Sequence, residues 1–279
     1  MDMPFRPEQF CQSHPWPEEC GINSLFRFYK IDSDRLEYLE HFFIDRKLYH
    51  PRPSQFNDPF ERALHFSLPK DAKKIHNIQQ HLIELQRKRG LNEEKAKEFV
   101  SKIMIDRKRL RDILRDSTKQ TFDEMRICSF TTQKDNLLFW SHYADSHKGF
   151  CVEFDATKMP ISVAFKVQYK NKFPEVIYPG SNDATLFIPV LVKSEVWEYE
   201  KEFRTIFLPK EEVLENDGES LILEGDVVKN VYLGSKIDAK NKECVFDLVK
   251  RGGFNPGIWS TSLAESTFSL EFAQVVKPV

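Results

Sequence analysis

The chain has 279 residues, 41% hydrophobic and 30% charged, with a formal net charge of −2 at pH 7; this is a globular composition with no global basic footprint, which argues against a dedicated duplex nucleic-acid binder while leaving room for a local patch. The five scattered cysteines (Cys11, Cys20, Cys128, Cys151, Cys244) lack CxxC spacing, so they give neither a disulfide framework nor a zinc cage and point to a reducing cytoplasm. No apolar run approaches the roughly 18 residues of a bilayer span, and MDMPFRPEQF has no basic region followed by an apolar one, so the sequence reads as neither secreted nor membrane-bound.

Residues 1–23 carry Pro4, Pro7, Pro15 and Pro17 without periodicity and read as an irregular arm. Residues 24–279 then form a single α+β domain with a mixed or antiparallel sheet core, rich in phenylalanine, of which the chain has 24. Ser24 to Ile31 is the first strand, with Leu25, Arg27 and Tyr29 on one face and Phe26, Phe28 and Lys30 on the other. Arg27 in so apolar a strand is either an edge arginine whose head reaches water or part of a site. Asp34 to Phe43 reads as a short helix and Lys47 to Tyr49 as a strand. HPRPSQFNDPFE, His50 to Glu61, is a proline-stiffened loop in which Asn57 or Asp58 bonds nearby backbone amides.

From about 71 to 125 apolar residues recur at helical spacing (Ile75, Ile78, Leu82, Leu85, then Phe99, Val100, Ile103), interrupted at Gly90, which predicts a helical insertion. Its many Lys and Arg residues offer a contact for nucleic acid or simply a solvated face, since acidic residues are interspersed.

Ile127 to Asp155 is the densest stretch. Ile127 to Phe130 reads as a strand, and Leu137 to Ala144 as a helix with Asp135 or Asn136 as N-cap. Phe150, Val152 and Phe154 then alternate with Cys151, Glu153 and Asp155 as a second strand after Gly149. Ser129, Thr131, Trp140, Ser141, His142 and Tyr143 are thereby crowded between two strands, where a cleft often opens; the same aromatic side chains on a helix face also fit core packing. Further on, Val163 to Tyr169 reads as a strand, followed by a polar loop through Pro174, Pro179 and Gly180. If the chain is extended from Glu200, then Glu200, Glu202 and Arg204 share one face, either as a site or as an ion-pair ladder. A strand at Val227 to Leu233, a helix around Asn241 to Arg251 and a strand near Ser269 to Val276 complete the chain.

Phe56-Asn57-Asp58-Pro59-Phe60-Glu61, Leu138 to Ala144, His147-Lys148-Gly149-Phe150 and Trp197-x-x-Glu200-x-Glu202-x-Arg204, in this order, resemble family twenty-nine seventy-one of the bacterial domains of unknown function. A second resemblance is to ADP-ribosyltransferases, in the order Arg27, Ser129-Phe130-Thr131, and Glu200-Lys201-Glu202. It implies an ADP-ribosyltransferase-like fold with NAD as substrate. Arg27 would bind the NAD phosphates or a ribose. Ser129 and Thr131 would hold the nicotinamide side, with Tyr143 stacking on it and Trp140 and Asn57 completing the pocket. Glu202 would stabilise the oxocarbenium-like transition state and Glu200 would orient the acceptor. The expected activity is therefore NAD-dependent mono-ADP-ribosyl transfer or NAD cleavage, as in bacterial toxins or phage-defence effectors, with the acceptor unspecified. Two alternatives stand beside it: a non-catalytic ligand-binding or regulatory domain, and a metal-dependent nuclease using Asp58, Glu61, Glu200 and Glu202.

Overall fold

The computed structural model describes residues 5–32, 34, 36–179, 184–210 and 214–275; Pro4, Gly180 and Val276 lie outside them. The proline-rich arm holds a short helix α1 (Glu8–Ser13) and a turn over Glu18–Cys20. Its Phe10 is buried edge-on against Phe165, which ties the arm to the core. Strand β1 (Ser24–Tyr29), helix α2 (Leu36–Phe43) and strand β2 (Lys47–Tyr49) follow, as their periodicities predict.

The apolar repeat beyond Asp71 forms three helices: α3 (Ala72–Lys88), α4 (Glu93–Ile105) and α5 (Arg107–Glu124). Each begins at an Asp or Asn (Asp71, Asn92, Asp106) whose side chain accepts from a backbone amide of the first turn. Ile78, Leu82, Val100, Ile103 and Leu114 close these helices around their own apolar cluster, roofed by Phe66 and Leu68.

Strand β3 (Arg126–Thr131) leads into helix α6 (Leu137–His142), capped by Asn136. Strand β4 (Phe150–Asp155) returns after a run of left-handed residues, Asp145 to His147. Gly149 is required there because a Cβ at this position would fall on the Tyr29 carbonyl oxygen, where the start of β4 meets the end of β1. Short strands β5 (Phe165–Lys166), β6 (Gln168–Tyr169) and β7 (Val192–Lys193) precede β8 (Glu202–Phe207). The continuous strand read over Val163 to Tyr169 is thus broken in two, with β5 beside β8 and β6 beside β7. Strands β9 (Ser220–Ile222) and β10 (Val228–Leu233), helix α7 (Ala239–Arg251) and strands β11 (Gly257–Leu263) and β12 (Leu270–Gln274) complete the order.

The architecture is α+β around an eight-stranded mixed sheet in the order β12-β11-β10-β4-β1-β3-β8-β5. Its β10–β11 pair is parallel and the rest antiparallel. One face, with Leu25, Phe130, Phe154 and Phe203, packs against α2 and α7 through Phe42, Phe43, Val245 and Leu248. The opposite face, with Phe26, Phe28 and Tyr232, packs against α6 through Phe139 and Trp140. Among the described residues no helix is long and apolar enough to cross a membrane.

Candidate functional site

Three adjacent strands carry the motif residues. β3 and β8 pair along their whole length, with Ser129 opposite Arg204 and Thr131 opposite Glu202. β1 meets β3 at a single rung, Phe26 opposite Thr131. A cavity of about 260 Å³ is lined from both sides of this opening by β1 and β3, and by Asn57, Glu61, Tyr143, Lys193, Glu200, Glu202 and Arg204. Phe26, Phe28, Phe56 and Phe139 supply apolar wall.

At its floor lies a closed ionic cluster. Lys193 Nζ sits 2.6 Å from Glu200, 3.2 Å from Glu61 and 3.3 Å from Glu202, all four side chains buried. Arg204 donates through Nε to Glu202 Oε1 at 2.8 Å, through a second nitrogen to Glu202 Oε2 at 3.0 Å, and also to Glu61 and to the Val190 carbonyl. Three carboxylates face two cations, so the cluster holds one negative charge in excess when all are ionised. Burial costs of this kind are met only when every charge is paired and hydrogen-bonded, and here each is.

The two carboxylates of Glu200-Lys201-Glu202 are set apart by their surroundings. Burial works to raise Glu202, but the charges of Arg204 and Lys193, with hydrogen bonds from Arg204 and Ser129, hold it down at about 2. Glu200 is pushed above the ordinary carboxylate range, first by burial and then by the charge of Glu202, against Lys193 and the Tyr143 hydroxyl. Burial alone would lower Lys193, yet Glu202 and Glu61 keep it firmly charged. One fixed anion therefore stands beside one titratable carboxylate, a division that recurs where acid–base chemistry is done.

Sequence alternation put Glu200, Glu202 and Arg204 on one face of an extended run; the backbone does it differently. Glu195–Glu200 is a tight helical turn, and Lys201 takes a left-handed conformation with φ 44° before β8 begins. The turn delivers Glu200 to the cavity from outside the strand, where Thr131 Oγ1 donates to its carbonyl at 2.7 Å.

Arg27 has a different environment. One of its terminal nitrogens donates to the Ser129 carbonyl at 2.9 Å, while its Nε has no hydrogen-bond partner although it is buried. Among the described residues it has no ion-pair partner; its guanidinium lies 5.6 Å from the centre of the Tyr29 ring and feels the Glu202 charge, so the cavity wall carries a guanidinium with one unused donor.

Of the residues singled out from sequence, Arg27, Asn57, Ser129, Thr131, Tyr143, Glu200 and Glu202 all line this cavity. Trp140 does not. It is fully buried on the sheet-facing side of α6, edge-on to Phe28, with its indole nitrogen donating to the Lys134 carbonyl at 2.7 Å. Asp58 is buried but turned to its own loop, accepting from the Phe60 amide at 2.8 Å. Lys193 was not singled out; its only signal is a lysine in the apolar run FIPVLVKSEVW. Tyr169, whose hydroxyl accepts from the Glu202 amide at 2.9 Å, was equally silent. Among the described residues no His, Cys, Asp or Glu cluster is arranged to hold a metal ion. Lys193 stands between three of the four carboxylates of the nuclease alternative, Glu61, Glu200 and Glu202, and the fourth, Asp58, is turned to its own loop.

Residues 139–205 match the model of a protein family of unknown function, DUF2971. The matched DUF2971 segment carries Tyr143, Lys193, Glu200, Glu202 and Arg204, which form the floor of the cavity, and leaves Arg27, Asn57, Glu61, Ser129 and Thr131 outside it. No curated protein and no solved structure matches the chain.

Proposed function

We propose that the protein cleaves the nicotinamide–ribose bond of NAD and passes the ADP-ribosyl group to an acceptor or to water. The observation that carries this reading is the gathering of Arg27, Ser129, Thr131, Tyr143, Glu200 and Glu202 around one cavity. Its volume of about 260 Å³ lies just below the usual range of small-molecule sites, room for the nicotinamide–ribose end with the phosphates reaching outward. Arg27 pairs with a phosphate, and the excess negative charge of the cluster then faces the ribose.

In the reaction the bond between ribose C1′ and the nicotinamide nitrogen breaks, its electron pair leaving on nicotinamide. The positive charge that develops on the ribose is stabilised by the fixed anion of Glu202 in a partly dry site. The acceptor oxygen or nitrogen forms the new bond to C1′ and gives its proton to the Glu200 carboxylate.

The test is nicotinamide release from labelled NAD by the purified chain, beside Glu200→Gln. Release that falls about a hundredfold in the variant fits the reading. Absence of release from the wild type, together with no thermal shift at saturating NAD, overturns it. A second reading, a non-catalytic ligand-binding domain, draws on the closure of the ion pairs around Glu202, each oxygen of which already accepts from Arg204. Ligand binding without turnover would favour that reading.

A further inference from the structure

The loop that walls the cavity also walls a second depression. Pro51, Gln55, Phe56, Asn57 and Glu61 face the cavity, whereas Arg52 and Ser54 face away into an open groove of about 550 Å³ against α5. The opposite wall presents Arg115 and Lys119, and the floor continues through Arg62 to His65. Arg115 and Lys119 are paired on their own helix with Asp112 at 2.8 Å and Asp123 at 2.6 Å. Arg52 and Arg62 are exposed and, among the described residues, have no ion-pair partner. Whatever the net charge of the chain, this groove is locally cationic.

An aromatic platform stands at its edge. The His65 ring stacks on Phe173 at 4.8 Å and 12°, and Phe60 lies 5.8 Å from His65 and 6.2 Å from Phe173. Phe60 is 60% exposed and Phe173 is 45% exposed, an unusual cost for two phenylalanines in contact with each other. Free guanidinium groups beside exposed aromatic rings are the two components that single-stranded nucleic acid uses, phosphates on the cations and bases on the rings. An acidic peptide would use the first and leave the second bare.

We propose that this groove binds a single strand of nucleic acid, its phosphates on Arg52 and Arg62 and its bases on the Phe60–His65–Phe173 platform. The strand would be delivered to the mouth of the cavity across the Pro51–Glu61 loop. The binding site stands on its own geometry; only a role for the strand as acceptor rests on the NAD reading.

The experiment is fluorescence anisotropy of labelled single strands of about 12 nucleotides, one DNA and one RNA, with the full chain. The expected result is salt-sensitive binding of either or both, the stronger naming the natural strand. Arg52→Gln with Arg62→Gln weakens it about tenfold and lowers the slope of log affinity against log salt by about 1.4, the value for two lost phosphate contacts on a single strand. Phe60→Ala with Phe173→Ala weakens it about fivefold or more and leaves the slope unchanged. Absence of binding, binding indifferent to both double variants, or displacement by polyglutamate as effective as by unlabelled strand would each overturn the proposal. Nicotinamide release without strand binding overturns this inference alone, and strand binding without release overturns the NAD reading alone.

Discussion

The Tyr143 hydroxyl donates to Glu200 Oε1 at 2.8 Å, joining the end of α6 to the turn before β8. Lys193 takes the other oxygen of the same carboxylate at 2.6 Å. Glu200 is thus held by one neutral donor and one cation, while Glu202 is held by Arg204 and Lys193 together. The two carboxylates differ because their partners differ.

Removing that hydroxyl moves the titration of Glu200. The Tyr143 bond stabilises the ionised form and works against burial, so Tyr143→Phe raises the Glu200 pKa further. If Glu200 acts as the ionised base, the acidic limb of the kcat/KM profile for NAD cleavage moves to higher pH, with a loss at neutral pH of about tenfold. A profile that falls uniformly without moving would mean that Tyr143 acts on the substrate and not through Glu200.

If the chain cleaves NAD as proposed, Arg27 acts on binding. On the proposed reading, its replacement by Gln removes the charged partner of the NAD phosphate, a contact of about 1.5–3 kcal/mol. KM for NAD therefore rises about tenfold or more, with kcat changed less. Steady-state kinetics separate the two, and a fall in kcat at constant KM would place Arg27 at the reacting bond instead.

Lys193 is the keystone of the buried cluster. Lys193→Met leaves Glu61, Glu200 and Glu202 with Arg204 as the remaining cation, an uncompensated buried charge that costs roughly 3–5 kcal/mol. Urea unfolding measures it. The double variant Lys193→Met with Glu200→Gln removes one carboxylate of the excess and recovers part of the loss, so the two changes are strongly non-additive.

Much of this was legible in the chain because it rests on local periodicity. The 3.6-residue repeat of Ile75, Ile78, Leu82 and Leu85 gave the helices after Asp71, and the alternation in FCVEFD gave β4. The motif order Arg27, Ser129, Glu202 lies on strands that are neighbours in space, so residues far apart in the chain do converge. The misreadings come from tertiary context. Trp140 has the composition of a site residue but belongs to the core, a distinction that only packing reveals. GIWSTSL shows no alternation, its apolar positions being Ile258, Trp259 and Leu263, and its pairing with β10 and β12 makes it a strand. Lys193 gives little signal in the sequence because its partners converge only in the fold: Glu200 and Glu202 reach it through a helical turn and a left-handed residue, and Glu61 comes from a distant loop.

The pH dependence of stability follows from Glu202. Its folded-state pKa, about 2, lies below the ordinary carboxylate value, so it contributes stability that is fully present above the unfolded pKa near 4.5 and is lost as pH falls toward 2. The contribution is on the order of 3 kcal/mol. Glu200, raised in the fold, has the opposite sign: it favours the folded state below its unfolded pKa and loses that advantage as pH rises through its folded value. The urea midpoint of the wild type therefore drops steeply between pH 4.5 and 2. Glu202→Gln starts from a lower stability and loses that steepness, whereas Glu200→Gln retains it and is relatively favoured at neutral pH. Parallel acid profiles for wild type and Glu202→Gln would mean that Glu202 is not the anion held by Arg204.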